Sequence, residues 1–129
     1  MLPPIDEKLL AERAPGYSVT PEGGMICVLI PNLPMPDGYT VASADLLLRL
    51  SAGYPDVPPD MWWFSPAIRR VDGHIIAATE HQESYLGRVW QRWSRHLNPG
   101  QWRSGIDSLE SYLALVHSEL RAGARARAA

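Results

Sequence analysis

Tyr54-Pro55-Asp56-Val57-Pro58-Pro59 is the stretch on which the fold turns. Its prolines exclude a helix or a sheet interior, because each lacks an amide N–H and biases the residue before it towards extended backbone. It reads as a rigid turn, nearly folded before the rest of the chain. Just upstream, Ala44–Leu50 (ADLLLRL) is a short apolar run stopped by Gly53 and reads as a strand, with Arg49 expected to face outward. Just downstream, Met61-Trp62-Trp63-Phe64 reads as a short aromatic strand closed by Pro66.

Further out, Met25–Ile30 is a continuous apolar run between glycines and Pro31, the pattern of a strand covered on both faces. Tyr17–Thr20 suits an edge strand, Pro21–Gly24 a turn, and Asn32–Gly38, with Pro34 and Pro36, a loop. Pro3 and Pro4 open a helix over Ile5–Ala14. Ile5, Leu9 and Leu10 share one face of it, and Asp6 and Glu7 sit in the first turn, where the helix dipole favours anions. Ile68–Thr79 has no clear period and reads as a loop with a short hairpin near Asp72-Gly73.

Leu86, Trp90, Trp93 and Leu97 recur at helical steps and predict a helix, with Arg88, Arg92 and Arg95 on another face and Asn98-Pro99-Gly100 at its end. A last helix carries the stripe Leu109, Tyr112, Leu113, Val116 and Leu120, opened by a Ser104–Asp107 capping box. Residues 124–129 lack an apolar face and are expected to fray. The expected fold is α+β: an N-terminal helix, an antiparallel four-stranded meander and C-terminal helices, in one domain over residues 1–123.

A chain of 129 residues can bury a core without disulfides. A net charge of −2 argues against nucleic acid or an anionic membrane as partner. The lone Cys27 cannot form an internal disulfide or a cysteine zinc site, which suits a reducing compartment. No apolar run approaches the roughly 20 residues of a membrane span, and the N-terminal residues lack the pattern of a signal peptide. A cytoplasmic protein without cofactor or metal is expected.

The order of helix and strands, with Tyr54-Pro55-x-x-Pro58-Pro59 directly after the third strand, resembles the E2 (ubiquitin-conjugating, UBC) superfamily and its RWD and inactive relatives. Most closely it resembles prokaryotic E2 family E, bacterial proteins associated with ubiquitin-like conjugation operons. The resemblance runs from about Ile5 to Leu120. It implies a UBC/RWD-like fold and, as partners, an E1-like adenylating enzyme and a ubiquitin-like protein.

The resemblance also locates what is missing. Conjugating E2s follow the turn with His-Pro-Asn, and the matching residues here are Ser65-Pro66-Ala67. Their nucleophile closes a Gly-x-Ile-Cys pattern, matched by Gly73-His74-Ile75-Ile76, which places Ile76 where the sulfur should be. An isoleucine cannot carry a thioester, and an alanine side chain cannot donate to an oxyanion. Standard thioester chemistry is not expected. Trp102 matches the tryptophan that opens the next E2 helix, but the spacing from Ile76 is at least doubled. The insert holds His81, Trp90, Trp93 and His96. Cys27 precedes the turn and is expected to be buried and inert.

Several residues carry a sharper reading beside a plain one. Trp90 and Trp93 are either a platform for a partner's tail or core residues. His96 is a helix-end histidine or a general base, and Thr79, Ser84 or Ser94 would then be hydroxyl nucleophiles forming an oxyester. Nothing in the spacing selects among them. His74, Glu80, His81, Glu83 and His96 match no zinc spacing. Arg88, Arg92 and Arg95 read as a solvated face rather than a nucleic-acid patch, and Asp56 and Asp60 as turn caps. Two functional readings stand: a conjugation-pathway component, and a catalytically inert RWD-like interaction module.

Overall fold

The computed structural model describes residues 2–125. Its regular elements are α1 (Pro4–Arg13), β1 (Ser18–Glu22), β2 (Met25–Pro34), β3 (Ser43–Leu50), β4 (Trp62–Ser65), β5 (Gln82–Tyr85), β6 (Arg88–Trp93) and α2 (Leu109–Arg125). The strands pair antiparallel in the order β1-β2-β3-β4-β6-β5. The class is α+β, with an N-terminal helix, an antiparallel sheet and a C-terminal helix. The sheet has six strands rather than the expected four, and among the described residues one helix follows it rather than several.

Both differences come from one segment. Leu86–Leu97 is not a helix: Arg88–Trp93 is the second arm of the hairpin β5–β6. Leu86 and Gly87 both have positive φ, 53° and 72°, the geometry of a two-residue turn whose twist suits a hairpin. Side chains then alternate along β6. Trp90 packs on the outer face with Cys27, Leu47 and Trp63, whereas Trp93 packs in the main core. The helical spacing arose because the strand buries a tryptophan on each face.

The main core lies between the sheet and the helices. Val28, Ile30, Leu46, Leu48, Leu50, Trp62, Phe64 and Trp93 meet Leu10 of α1 and Leu109, Tyr112, Val116 and Leu120 of α2. Each such side chain contributes about 1.5–3 kcal/mol on burial. Of the stripe predicted for the last helix, Leu109, Tyr112, Val116 and Leu120 are buried, and Leu113 is half-buried against the core.

Local details differ where polar groups set the boundaries. β2 continues through Asn32 to Pro34, although Asn32–Gly38 was expected to be a loop. A bulge between Ile30 and Leu33 absorbs the left-handed Asn32 (φ 53°), whose N–H donates to Asp45 Oδ1 at 2.9 Å. β1 extends to Glu22, leaving Gly23-Gly24 as the turn. Pro21 sits on the free edge of β1, where its missing N–H removes no ladder bond. α2 starts at Leu109 rather than near Trp102, because the reciprocal cap is formed by Ser108 and Ser111, not Ser104 and Asp107. Ser108 Oγ accepts from Glu110 N at 3.2 Å and Ser111 Oγ from Ser108 N at 3.0 Å. Ala124 and Arg125 belong to α2, and the rest of the expected tail lies outside the described residues. Arg49 lies on the outer face of the sheet as expected, but it does not stand free in solvent. It is half-buried, its guanidinium 3.9 Å from the centre of the Tyr85 ring.

The buried Asp6 carboxylate ties the ends of the chain to the proline turn. It accepts from Tyr54 Oη at 2.6 Å and from the Leu109 N–H at 3.0 Å. Trp102 completes the anchorage: Nε1 donates to Pro55 O at 2.8 Å, and its ring lies 6.1 Å from that of Tyr54 and 6.4 Å from that of Tyr112. At the other end of α2, Tyr39 Oη donates to Leu120 O at 2.5 Å. Gly123 makes room for the phenol, since a Cβ there would lie 2.6 Å from Tyr39 Oη.

Asp6→Ala leaves a buried hydroxyl and a helix N-terminal N–H unpartnered, so a loss of about 2–4 kcal/mol is expected in urea unfolding. Burial, and then the Asp6 carboxylate, hold the Tyr54 hydroxyl well above its usual value, and burial does the same for Tyr112. Unfolded tyrosines ionise near pH ~10 while these stay protonated, so the contribution is fully present below that pH and is lost above it. The melting temperature should be level up to about pH 9 and fall above about pH 10, less steeply in Tyr54→Phe.

Candidate functional site

A groove of about 540 Å³ opens between the loop after β4 and the β5–β6 hairpin. Gln91, on β6 and buried, fixes one wall. Its Oε1 accepts from Ile68 N at 2.8 Å and Trp93 Nε1 at 3.0 Å, and its Nε2 donates to Ile68 O at 3.0 Å. That clamp holds Ala67 and Ile68 where the chain leaves Pro66. On the other wall, Arg70 grips Asp72 through Nε at 3.0 Å and Nη2 at 2.5 Å. Asp72 also accepts the His74 N–H at 3.0 Å. The Arg70 hydrogen bonds, with that N–H, hold the Asp72 carboxyl below the usual carboxylate range. Gly73 sits in the resulting turn at φ 80°.

Ile76 lies in this groove and is 6% exposed, its side chain packed into the main core. Thr79 is equally buried and donates Oγ1 to Ile76 O at 2.8 Å. The next chain segment is stitched alongside: Ser94 N donates to Ala78 O at 3.0 Å and Arg95 Nη1 to Ala77 O at 2.8 Å. The backbone of Ser94 is thus held beside the segment that carries Ile76 and Thr79. The groove takes in Ala67, Gly73, Ile76 and Thr79, but its lining does not include Ser65, Pro66, Ser94 or His96.

Ser94 differs from Thr79 in its surroundings. It is half-exposed, and its Oγ accepts from Arg92 Nε at 3.1 Å. Arg92 is braced in turn by Glu83 at 3.2 Å. Burial would raise the Glu83 carboxyl, but hydrogen bonds from Trp63 and Tyr85 and the Arg92 charge outweigh it and leave it lowered. His96, exposed, places Nδ1 2.7 Å from Asp60 Oδ1. With the proton on Nδ1, the neutral imidazole keeps Nε2 as an acceptor. Ser84 sits in β5, paired with Val89.

Trp90 and Trp93 are both fully buried and on opposite faces, so they do not form a shared platform. Each arginine of the segment has an acidic neighbour: Arg88 with Asp45 at 2.9 Å, Arg92 with Glu83, and Arg95 with Glu119 at 2.7 Å. Asp56 receives the Ser104 hydroxyl. No helix among the described residues is long and apolar enough to cross a membrane.

Reading the segment as a helix hid Gln91, which clamps the groove, and the Glu83–Arg92–Ser94 chain. The visible signal was Gly87, a turn residue between two short runs. Leu86 in place of the usual asparagine disguised the turn.

A helix, a curled antiparallel sheet, a proline turn after the third strand and a closing helix, with hydrocarbon at the heart of the groove, define an E2-like protein without the usual thiol. The pattern of prokaryotic E2 family E matches residues 2–123, and the chain belongs to that family. Neither the curated proteins nor the solved structures contain a match to it.

Cys27 is fully buried beneath Trp90, Leu47 and Trp63 on the outer face. An aromatic disulfide reagent should label it at least about 100-fold more slowly in the native protein than in urea, since thiolate access controls the rate.

Proposed function

We propose that this chain is an E2-like component of a ubiquitin-like conjugation pathway, engaging an E1-like adenylating enzyme and a ubiquitin-like protein through a single domain over residues 1–123. The observation that carries the reading is the family match combined with the groove around Ile76. The position that would bear sulfur is a buried isoleucine, so acyl transfer through a thioester on this chain is not the route.

Ser94 is the better-placed hydroxyl. Thr79 is buried and spends its proton on Ile76 O, whereas Ser94 is half-exposed with a guanidinium N–H on its oxygen, which favours the anion. In the proposed step Ser94 Oγ forms a bond to the carbonyl carbon of the partner's C-terminus. The E1 thiolate leaves, and the hydroxyl proton passes to a base. His96, oriented by Asp60, is the nearest imidazole in sequence and takes that role here.

The second reading, an inert RWD-like interaction module, is favoured by the placement of Ser94 and His96 outside the groove lining. The two readings separate in one reconstitution with an E1-like enzyme, ATP and a ubiquitin-like protein. The catalytic reading expects an adduct that survives thiol reductant, is cleaved by base, maps to Ser94 and is lost in Ser94→Ala. His96→Gln should slow it by about 10²–10⁴-fold, the usual range for a lost general base. Binding without an adduct supports the interaction module, and a thiol-labile adduct on Cys27 sinks both.

A further inference from the structure

The two edges of the sheet are not alike. β1 is blunted by Pro21, but β5 ends the sheet with no strand beside it among the described residues. The pairing of β5 with β6 sets which of its backbone groups are free. Arg92 N donates to His81 O at 2.9 Å, so residue 81 faces β6, and by alternation so do Glu83 and Tyr85. Gln82 and Ser84 therefore point their N–H and C=O groups away from the sheet.

Edge strands are commonly protected by proline or by a charge that repels an incoming strand. Here the one charge on β5, Glu83, is turned onto Trp63 and Arg92. Gln82 and Ser84 are neutral and exposed. Gln82 also lines the groove that holds Ile76, so the free edge and the groove are continuous.

We propose that the outer edge of β5 is a strand-addition site for an extended peptide segment of a partner protein, which pairs with Gln82 and Ser84 and continues into the groove. The chemistry identifies the occupant: unpaired N–H and C=O groups at strand spacing are complementary to peptide backbone and to little else. A segment of three or four residues spans the edge, and the exposed Ile75 offers apolar contact for a side chain entering the groove. The site stands whether or not Ser94 is acylated, because it requires only backbone pairing.

The test uses the full chain and a defined probe, acetyl-Thr-Val-Thr-Val-Gly-Gly with a free carboxylate. Amide hydrogen exchange and ¹⁵N chemical shifts are followed as the peptide is added to millimolar concentration. The Gln82 and Ser84 amides are expected to exchange fast in the free protein and to slow at least about 10-fold at saturation, since a ladder bond must open first. Ser84→Pro removes an outward N–H without touching the ladder to β6, and should abolish the effect while leaving the tryptophan near-ultraviolet spectrum unchanged. A probe N-methylated at alternate residues should not bind. No protection at these amides, equal binding by Ser84→Pro, or equal binding by the methylated probe overturns the proposal. So does a concentration-dependent dimer that Ser84→Pro dissociates, which would assign the edge to a second copy of the chain.

Discussion

The buried carboxylate of Asp6 is the constraint on which the arrangement of this molecule depends. It sits in the first turn of α1, yet its partners are the hydroxyl of the proline turn and the first amide of α2. A charge in that position would be costly without such donors, and a helix N-terminus is well suited to supply one. Two segments, 48 and 103 positions from Asp6, are thereby fixed to α1 at a common point. The proline turn is stiff by composition, and stiffness is useful only when something holds it at both ends. Asp6 does so from one side, and Trp102, through Pro55 O and the Tyr54 ring, does so from the other.

The sheet carries two apolar layers rather than one. Its inner face meets the helices, and its outer face closes over Cys27, Leu47, Trp63 and Trp90. That outer layer is roofed by long cationic side chains laid on rings, Arg49 over Tyr85 and Arg88 over Trp90. The hairpin that supplies Tyr85 and Trp90 is also hooked to the opposite end of the sheet, since the Leu86 N–H is held by the Glu22 carboxylate at 3.0 Å. The inserted segment is thus structural on one face and forms the wall of the groove on the other.

Much of this architecture was legible in the residues. The N-terminal helix, the first four strands, the rigid turn and the apolar stripe of the last helix all follow from local pattern and proline chemistry. The burial of Cys27 was equally plain. What escaped was the hairpin. A strand covered on both faces loses its alternating apolar signal, and Trp90 and Trp93, one on each face, then imitate a helical repeat. Gln91 and the Glu83–Arg92–Ser94 chain were hidden with it, because polar pairing across strands has no signature until the strands are placed. Ser94 and Thr79 came into view as hydroxyls, but only the folded chain distinguishes one that is occupied from one that is accessible.

The close approach of Tyr39 to Gly123 has a bearing on how α2 finds its place. A smooth apolar stripe could slide along the sheet by a helical turn and still bury hydrocarbon. A phenol that enters only where the helix has no side chain, and bonds to a carbonyl one turn back, acts as a detent along the helix axis. Shifting α2 by a turn would bring a bulkier residue against the ring and leave the hydroxyl without its acceptor. The absence of a single methyl thus indexes the last helix lengthwise, while the Asp6 carboxylate stops its other end.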